Sequence, residues 1–141
     1  MNLYRIAQEQ NIDVLTFPMP ENESVSVMLP DGRCFIGMDK SVRENSAEEN
    51  VHMAHEIGHC VTGAFYNSYS PVDIRQKHEH KADKWAIRQL IPQDKLTEAV
   101  EAGITEPWDL AELFDVTVQF MMKAIYFYKY GHVDVNQYFA N

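Results

Sequence analysis

The rhythm of hydrophobic and polar positions changes near residue 45. Before it, short apolar runs bounded by turn residues predict strands at "VLTF" (14–17), "SVSVML" (24–29) and "RCFIGM" (33–38), preceded by a short helix over 2–10. "PDG" at 30–32 is a tight turn, so the last two strands form a hairpin. After residue 45, helical sequence dominates. Ser46 caps a first long helix, with Glu49 three residues on. A second opens at "SPVD" (70–73), with Ser70 as N-cap, Pro71 as first helical residue and Asp73 as the reciprocal partner, and it ends at Pro92. A third runs from about 93 to 102 and stops at Gly103; two more follow at about 106–114 and 118–130, the last stopped by Gly131. A small N-terminal antiparallel sheet followed by helices predicts one α+β domain over residues 1–141.

The first long helix carries the chemistry. Met53, Ile57, Cys60 and Ala64, spaced four, three and four, make one apolar stripe for a core. On the opposite side lie His55 and His59, the two histidines of "HEIGH" (55–59). Residues four apart on a helix point the same way, so His55 and His59 can hold one ion between them, and neutral imidazoles are good zinc ligands. Glu56 is about 100° around the helix from His55 and need not be a ligand. It can instead reach a water held by the ion and take its proton, the chemistry behind H-E-x-x-H. A shuffled chain of this composition would show the motif in roughly one case in fifty, so its surroundings must support it.

A catalytic zinc usually takes a third protein ligand and a water. "EHKADKWA" (79–86) offers one on the next helix. Glu79 and Asp83 are four apart and share a face with Ala82, Ala86 and Leu90. Carboxylates on a buried stripe are costly unless they meet a cation or donors. Zinc would satisfy Glu79, and Asp83 could accept the second ring N–H of a liganding histidine, His55 first, and fix its tautomer. The plain alternative is a surface pair, or a salt bridge to Arg75 or Arg88.

"HEIGH", "EHKADKWA" and "LIP" (90–92) together resemble the ImmA/IrrE family of zinc metallopeptidases, which shows H-E-x-x-H followed by E-x-x-A-[ND]-x-[FW]-A and a Leu-rich segment ending in Pro. "GRCFIGMD" (32–39) and "GHCVTGAFY" (58–66) are similar as well, so the likeness covers about residues 25–92. The resemblance implies a zincin-like helical core in which His55, His59 and Glu79 bind Zn2+, Glu56 is the catalytic base and Asp83 supports a ligand. It also implies a protein substrate, often a helix-turn-helix transcriptional repressor cleaved by the antirepressor of a prophage or integrative element, or in a stress response. The departures are "LIP" for the commoner double Leu and a short chain, in which a separate sensor or DNA-binding domain is not expected.

Other residues compete for these roles. His52 could add a fourth ligand and close the site as a structural zinc domain. Cys60 is chemically a good ligand but belongs by angle to the apolar stripe, as a small buried residue. His78 and His80 flank Glu79 but point away from the Ala82/Ala86 face. An amide hydrolase also needs a donor for the oxyanion, for which Tyr66 and Tyr69 are candidates beside their simpler role as packing aromatics. "DLAELFDVTVQFMMKAIYFY" (109–128) has the rhythm of a helix-turn-helix, but Val118, Gln119, Phe120, Met121 and Met122 open its second helix where polar or basic readers would stand. Core packing or protein docking is the better reading.

Composition narrows the setting. Hydrophobic residues at 45% and charged residues at 23% suit a soluble domain whose core needs no disulfides. The net charge of −9 disfavours nucleic acid and anionic membranes as direct partners. With only Cys34 and Cys60, and neither a signal peptide nor a transmembrane run, a reducing cytoplasmic location is expected. The function expected is a zinc-dependent endopeptidase; the alternative is a metal-binding antirepressor that sequesters its partner without cleaving it.

Overall fold

Asn2 opens the first helix by accepting the Arg5 backbone N–H on its side chain. The computed structural model describes residues 2–18, 24–42, 44, 46–66 and 69–134. Its elements are α1 (Leu3–Glu9), β1 (Ile12–Phe17), β2 (Val25–Met28), β3 (Cys34–Asp39), α2 (Ala47–Thr62), α3 (Val72–Leu90), α4 (Gln93–Glu101), α5 (Pro107–Phe114) and α6 (Val118–Tyr130). An α+β fold, a small sheet followed by helices, is what the periodicity predicts.

The sheet differs in one respect from expectation. Its order is β1-β3-β2. The β2–β3 hairpin is antiparallel as predicted, closed by Gly32 at φ 90°, whose N–H donates to the Leu29 carbonyl. But β1 runs parallel to β3, from Ile12 opposite Cys34 to Phe17 opposite Asp39, so the sheet is mixed rather than antiparallel. β1 and β2 lie on opposite sides of β3, so the hairpin's second strand is in the middle. Central β3 is accordingly the most buried strand, with Ile36 and Met38 turned into the core.

Ser46 caps α2 as expected, accepting the Glu49 N–H, and Gly63 ends the helix in the left-handed region at φ 67°. Met53 and Ile57 of the apolar stripe are fully buried, as is Ala64 just beyond the helix end. The start of α3 departs from prediction. Pro71 has extended backbone (φ −56°, ψ 152°) and occupies the cap position itself, so Ser70 is not the N-cap, and no side chain caps the helix. The close at Pro92 holds, with Ile91 as C-cap.

The two long helices pack very closely at Gly58. A Cβ placed there would lie 2.7 Å from the Ala82 carbonyl oxygen. The C-terminal helix α6 braces α3 from behind, with the Tyr128 hydroxyl donating to the Ile91 carbonyl at 2.6 Å. Phe120 and Met121 enter the core while Val118 and Met122 stay exposed, so the apolar start of α6 is in part core.

Cys34 of β3 and Cys60 of α2 are joined as a disulfide, with Cα atoms 6.0 Å apart. This corrects the expectation that Cys60 is simply a small buried residue, and it runs against the reducing setting inferred from two cysteines. Its place on the apolar stripe leaves Cys60 half-buried and turns it toward β3, where Cys34 stands. No helix among the described residues is long and apolar enough to cross a membrane.

Candidate metal centre

One face of α2 opens on a cleft of about 440 Å³, walled by His52, His55, Glu56 and His59, by Ser24, Val25 and Ser26 at β2, by Phe65 and Tyr66 beyond α2, and by Glu79 of α3. The i, i+4 spacing sets His55 and His59 side by side, with ring centroids 4.8 Å apart. The close contact at Gly58 brings Glu79 against both. His55 Nε2 lies 2.7 Å from Glu79 Oε2, and His59 Nε2 lies 3.0 Å from Glu79 Oε1.

The outer nitrogens are tied down. His55 Nδ1 is 2.8 Å from Asp83 Oδ1, and His59 Nδ1 is 2.5 Å from the Ala64 carbonyl oxygen. A carbonyl and a carboxylate can only accept, so both Nδ1 atoms donate, and in the neutral rings both Nε2 lone pairs face Glu79. Two lone pairs and a carboxylate aimed at one another demand a cation or protons between them. The three donor atoms fall within 4.8 Å of one another, and among the described residues this is the group that could hold a metal ion. Two imidazole nitrogens and one carboxylate oxygen are the donor chemistry of a zinc site with a position left open.

The electrostatics without an ion say the same. Burial alone would lower the His55 pKa, but hydrogen bonds to Asp83 and Glu79 outweigh it and hold it up at about 10. His59 is raised as well, burial again being outweighed by Glu79 and the Ala64 carbonyl. Burial would raise Glu79 and Asp83, yet the two histidines hold Glu79 well below the usual carboxylate range, and His55 with Lys123 lowers Asp83. Without a metal ion, protons on the histidines supply the positive charge that the two carboxylates meet.

These contacts support a metallopeptidase-type site, and the comparison with protein families decides which one. The model of the IrrE N-terminal-like domain, Peptidase_M78, matches residues 7–126. The chain belongs to the Peptidase_M78 family. Membership supports a metallopeptidase-type function and, with it, a protein substrate in general. A search of curated proteins found no match.

Within this Peptidase_M78 domain, the structure brings His55, His59, Glu79 and Asp83 into contact and sets Glu56 in the same cleft wall. Tyr66 also reaches the cleft, its hydroxyl donating to Glu79 Oε1 at 2.8 Å; burial and that hydrogen bond push its pKa up to about 12, so it stays a donor. Tyr69 is 93% exposed and does not line the cleft. His52 turns to Ser24 instead of joining the metal-competent group, and neither Cys60, His78 nor His80 joins it. Asp83 pairs with neither Arg75 nor Arg88 but with Lys123 of α6, at 3.1 Å. Sequence reasoning missed Ser24, Gly58 and Lys123. For Gly58 the signal was a glycine inside a helix, which calls for a packing reason; Ser24 and Lys123 carry none.

Proposed function

We propose that this chain is a zinc-dependent endopeptidase whose substrate is a protein, and that His55, His59 and Glu79 are its zinc ligands. The observation that carries the reading is the convergence of those three donor groups in one cleft with Glu56 beside them. Bound there, zinc would supply a Lewis acid for the scissile carbonyl and lower the pKa of the attacking water. Glu56 takes the proton from that water and delivers it to the leaving amine nitrogen. Asp83 holds the His55 ring in the tautomer that turns Nε2 inward, as the Ala64 carbonyl does for His59. Tyr66, already a donor in the cleft, can offer its hydroxyl to the oxygen that gains charge in the tetrahedral state.

The substrate class follows from the resemblance of the motifs to ImmA/IrrE peptidases: a helix-turn-helix repressor, cut in the cytoplasm. In that compartment glutathione would work against the Cys34–Cys60 bridge. The test is incubation of the zinc-loaded protein with a candidate helix-turn-helix repressor. Fragments are expected, Glu56→Gln should reduce their rate by about 10²–10⁴-fold with zinc retained, and Tyr66→Phe by about 10²-fold. An intact complex with no fragments would replace cleavage by sequestration. Wild-type cleavage by Glu56→Gln would remove Glu56 as base.

A further inference from the structure

Glu48, His52 and Glu56 are spaced four and four along α2, so they form one polar stripe beside the stripe of His55 and His59. Ser24, at the entry to β2, meets this stripe. Its hydroxyl donates to Glu56 Oε2 at 2.9 Å, and the same oxygen lies 2.9 Å from His52 Nδ1. A serine hydroxyl has one proton. With that proton given to Glu56, the contact with His52 requires an Nδ1–H donor. His52 is therefore held in the Nδ1–H form, with Nε2 on the Glu48 side at 3.7 Å. The result is a directed line, His52 to Ser24 to Glu56, that ends on a carboxylate only 6% exposed.

A general base does its work only if its free oxygen is aimed, and a carboxylate on a two-bond stem rotates readily unless one oxygen is pinned. We propose that Ser24 and His52 are positioning residues for Glu56. Ser24 pins Oε2 and leaves Oε1 for the group bound in the cleft, and His52 pins Ser24. The proposal rests on the reading of Glu56 as the base. It also ties the metal helix to the entrance of strand β2, whose Val25 and Ser26 line the same cleft.

The probe is acetohydroxamic acid, which chelates zinc and donates its hydroxamic O–H to a neighbouring carboxylate. It is titrated by calorimetry into zinc-loaded wild type and variants. Ser24→Ala should weaken binding about tenfold, the low end of what a hydrogen bond to a charged group contributes. Ser24→Thr, which keeps the hydroxyl, should restore it. His52→Asn, whose amide nitrogen can stand where Nδ1 stands, should bind better than His52→Leu. In a Glu56→Gln background Ser24→Ala should add no further loss, because it acts through Glu56. A second readout needs no metal: the imidazole ¹⁵N shifts of the zinc-free protein should show Nδ1–H at His52 in wild type and Ser24→Thr, and a different tautomer mixture in Ser24→Ala. Equal hydroxamate affinity in Ser24→Ala and wild type overturns the proposal, as does a loss that persists unchanged in the Glu56→Gln background. If zinc-loaded wild type does not bind hydroxamate, the peptidase reading fails instead. The tautomer then decides the line by itself: Nε2–H at His52 overturns it, and Nδ1–H that changes in Ser24→Ala upholds it.

Discussion

Gly58→Ala tests whether the site depends on how closely α2 and α3 approach. Glycine inside a helix is normally a weakness, and alanine there should stabilise by roughly 0.5–1 kcal/mol. Here the added Cβ would stand 2.7 Å from the Ala82 carbonyl oxygen and 3.1 Å from the Ala82 Cα. Comfortable C···O contacts are about 3.3–3.6 Å, so the helices must part by roughly 0.7 Å. Both colliding groups are on backbone, so no side chain can swing away. Overpacking of this kind costs about 1–3 kcal/mol, which exceeds the gain in helix propensity. The effect on the metal should be larger in proportion. His59 is the next residue, Glu79 is one turn from Ala82, and metal sites tolerate only about 0.2 Å of error in ligand distance. Gly58→Ala should lower zinc affinity by at least about tenfold, as loss of supporting structure does elsewhere, with a net stability loss of about 1 kcal/mol or more. Competition with a chromophoric chelator gives the first quantity and urea unfolding the second. Wild-type affinity together with a wild-type urea midpoint would refute the argument that this contact sets the site.

Asp83→Asn removes the charge that orients His55 and should lower zinc affinity by about 10–100-fold while leaving the helices intact by circular dichroism. The metal-free cluster should also make stability depend on pH. His55 is raised from 6.5 to about 10, so its contribution is full below about pH 6.5 and is lost as pH rises toward 10. Glu79 and Asp83 are lowered, so theirs is present above their ordinary values of 4.5 and 3.8 and is lost on acidification. Metal-free protein should therefore lose on the order of a few kcal/mol between about pH 6 and 9, and zinc-loaded protein much less, by urea unfolding at both pH values. Reducing the Cys34–Cys60 bridge, which spans 26 residues, should cost about 3.5 kcal/mol by loop entropy, read as a lower urea midpoint in dithiothreitol.

Much of the site was legible because it is local. His55, Glu56 and His59 share one helix, and Glu79 and Asp83 share the next, so helical angle alone gives each its direction. The helix ends were legible for the same reason, at Ser46, Pro92 and Gly131, whereas Ser70 failed because Pro71 itself takes the extended cap conformation. What could not be read depends on contacts between distant segments. Nothing near Ile12–Phe17 says that it pairs with β3 in parallel, since that register is made by packing on a strand about twenty residues away. Ser24 and Lys123 reach Glu56 and Asp83 across 32 and 40 residues of chain. Their polarity fits a solvated surface equally well. The cysteines gave no spacing signal, because one lies on a strand and the other on a helix brought against it only by the fold.

The central claim is that His55, His59 and Glu79 hold a zinc ion. Elemental analysis of the purified protein, beside His59→Ala and Glu79→Ala, tests it most directly. About one zinc per chain is expected in wild type, with most of it lost in both variants, because each removes one of only three protein ligands. Wild-type protein that takes up no zinc when it is supplied, or a His59→Ala variant with unchanged zinc content, would contradict the account.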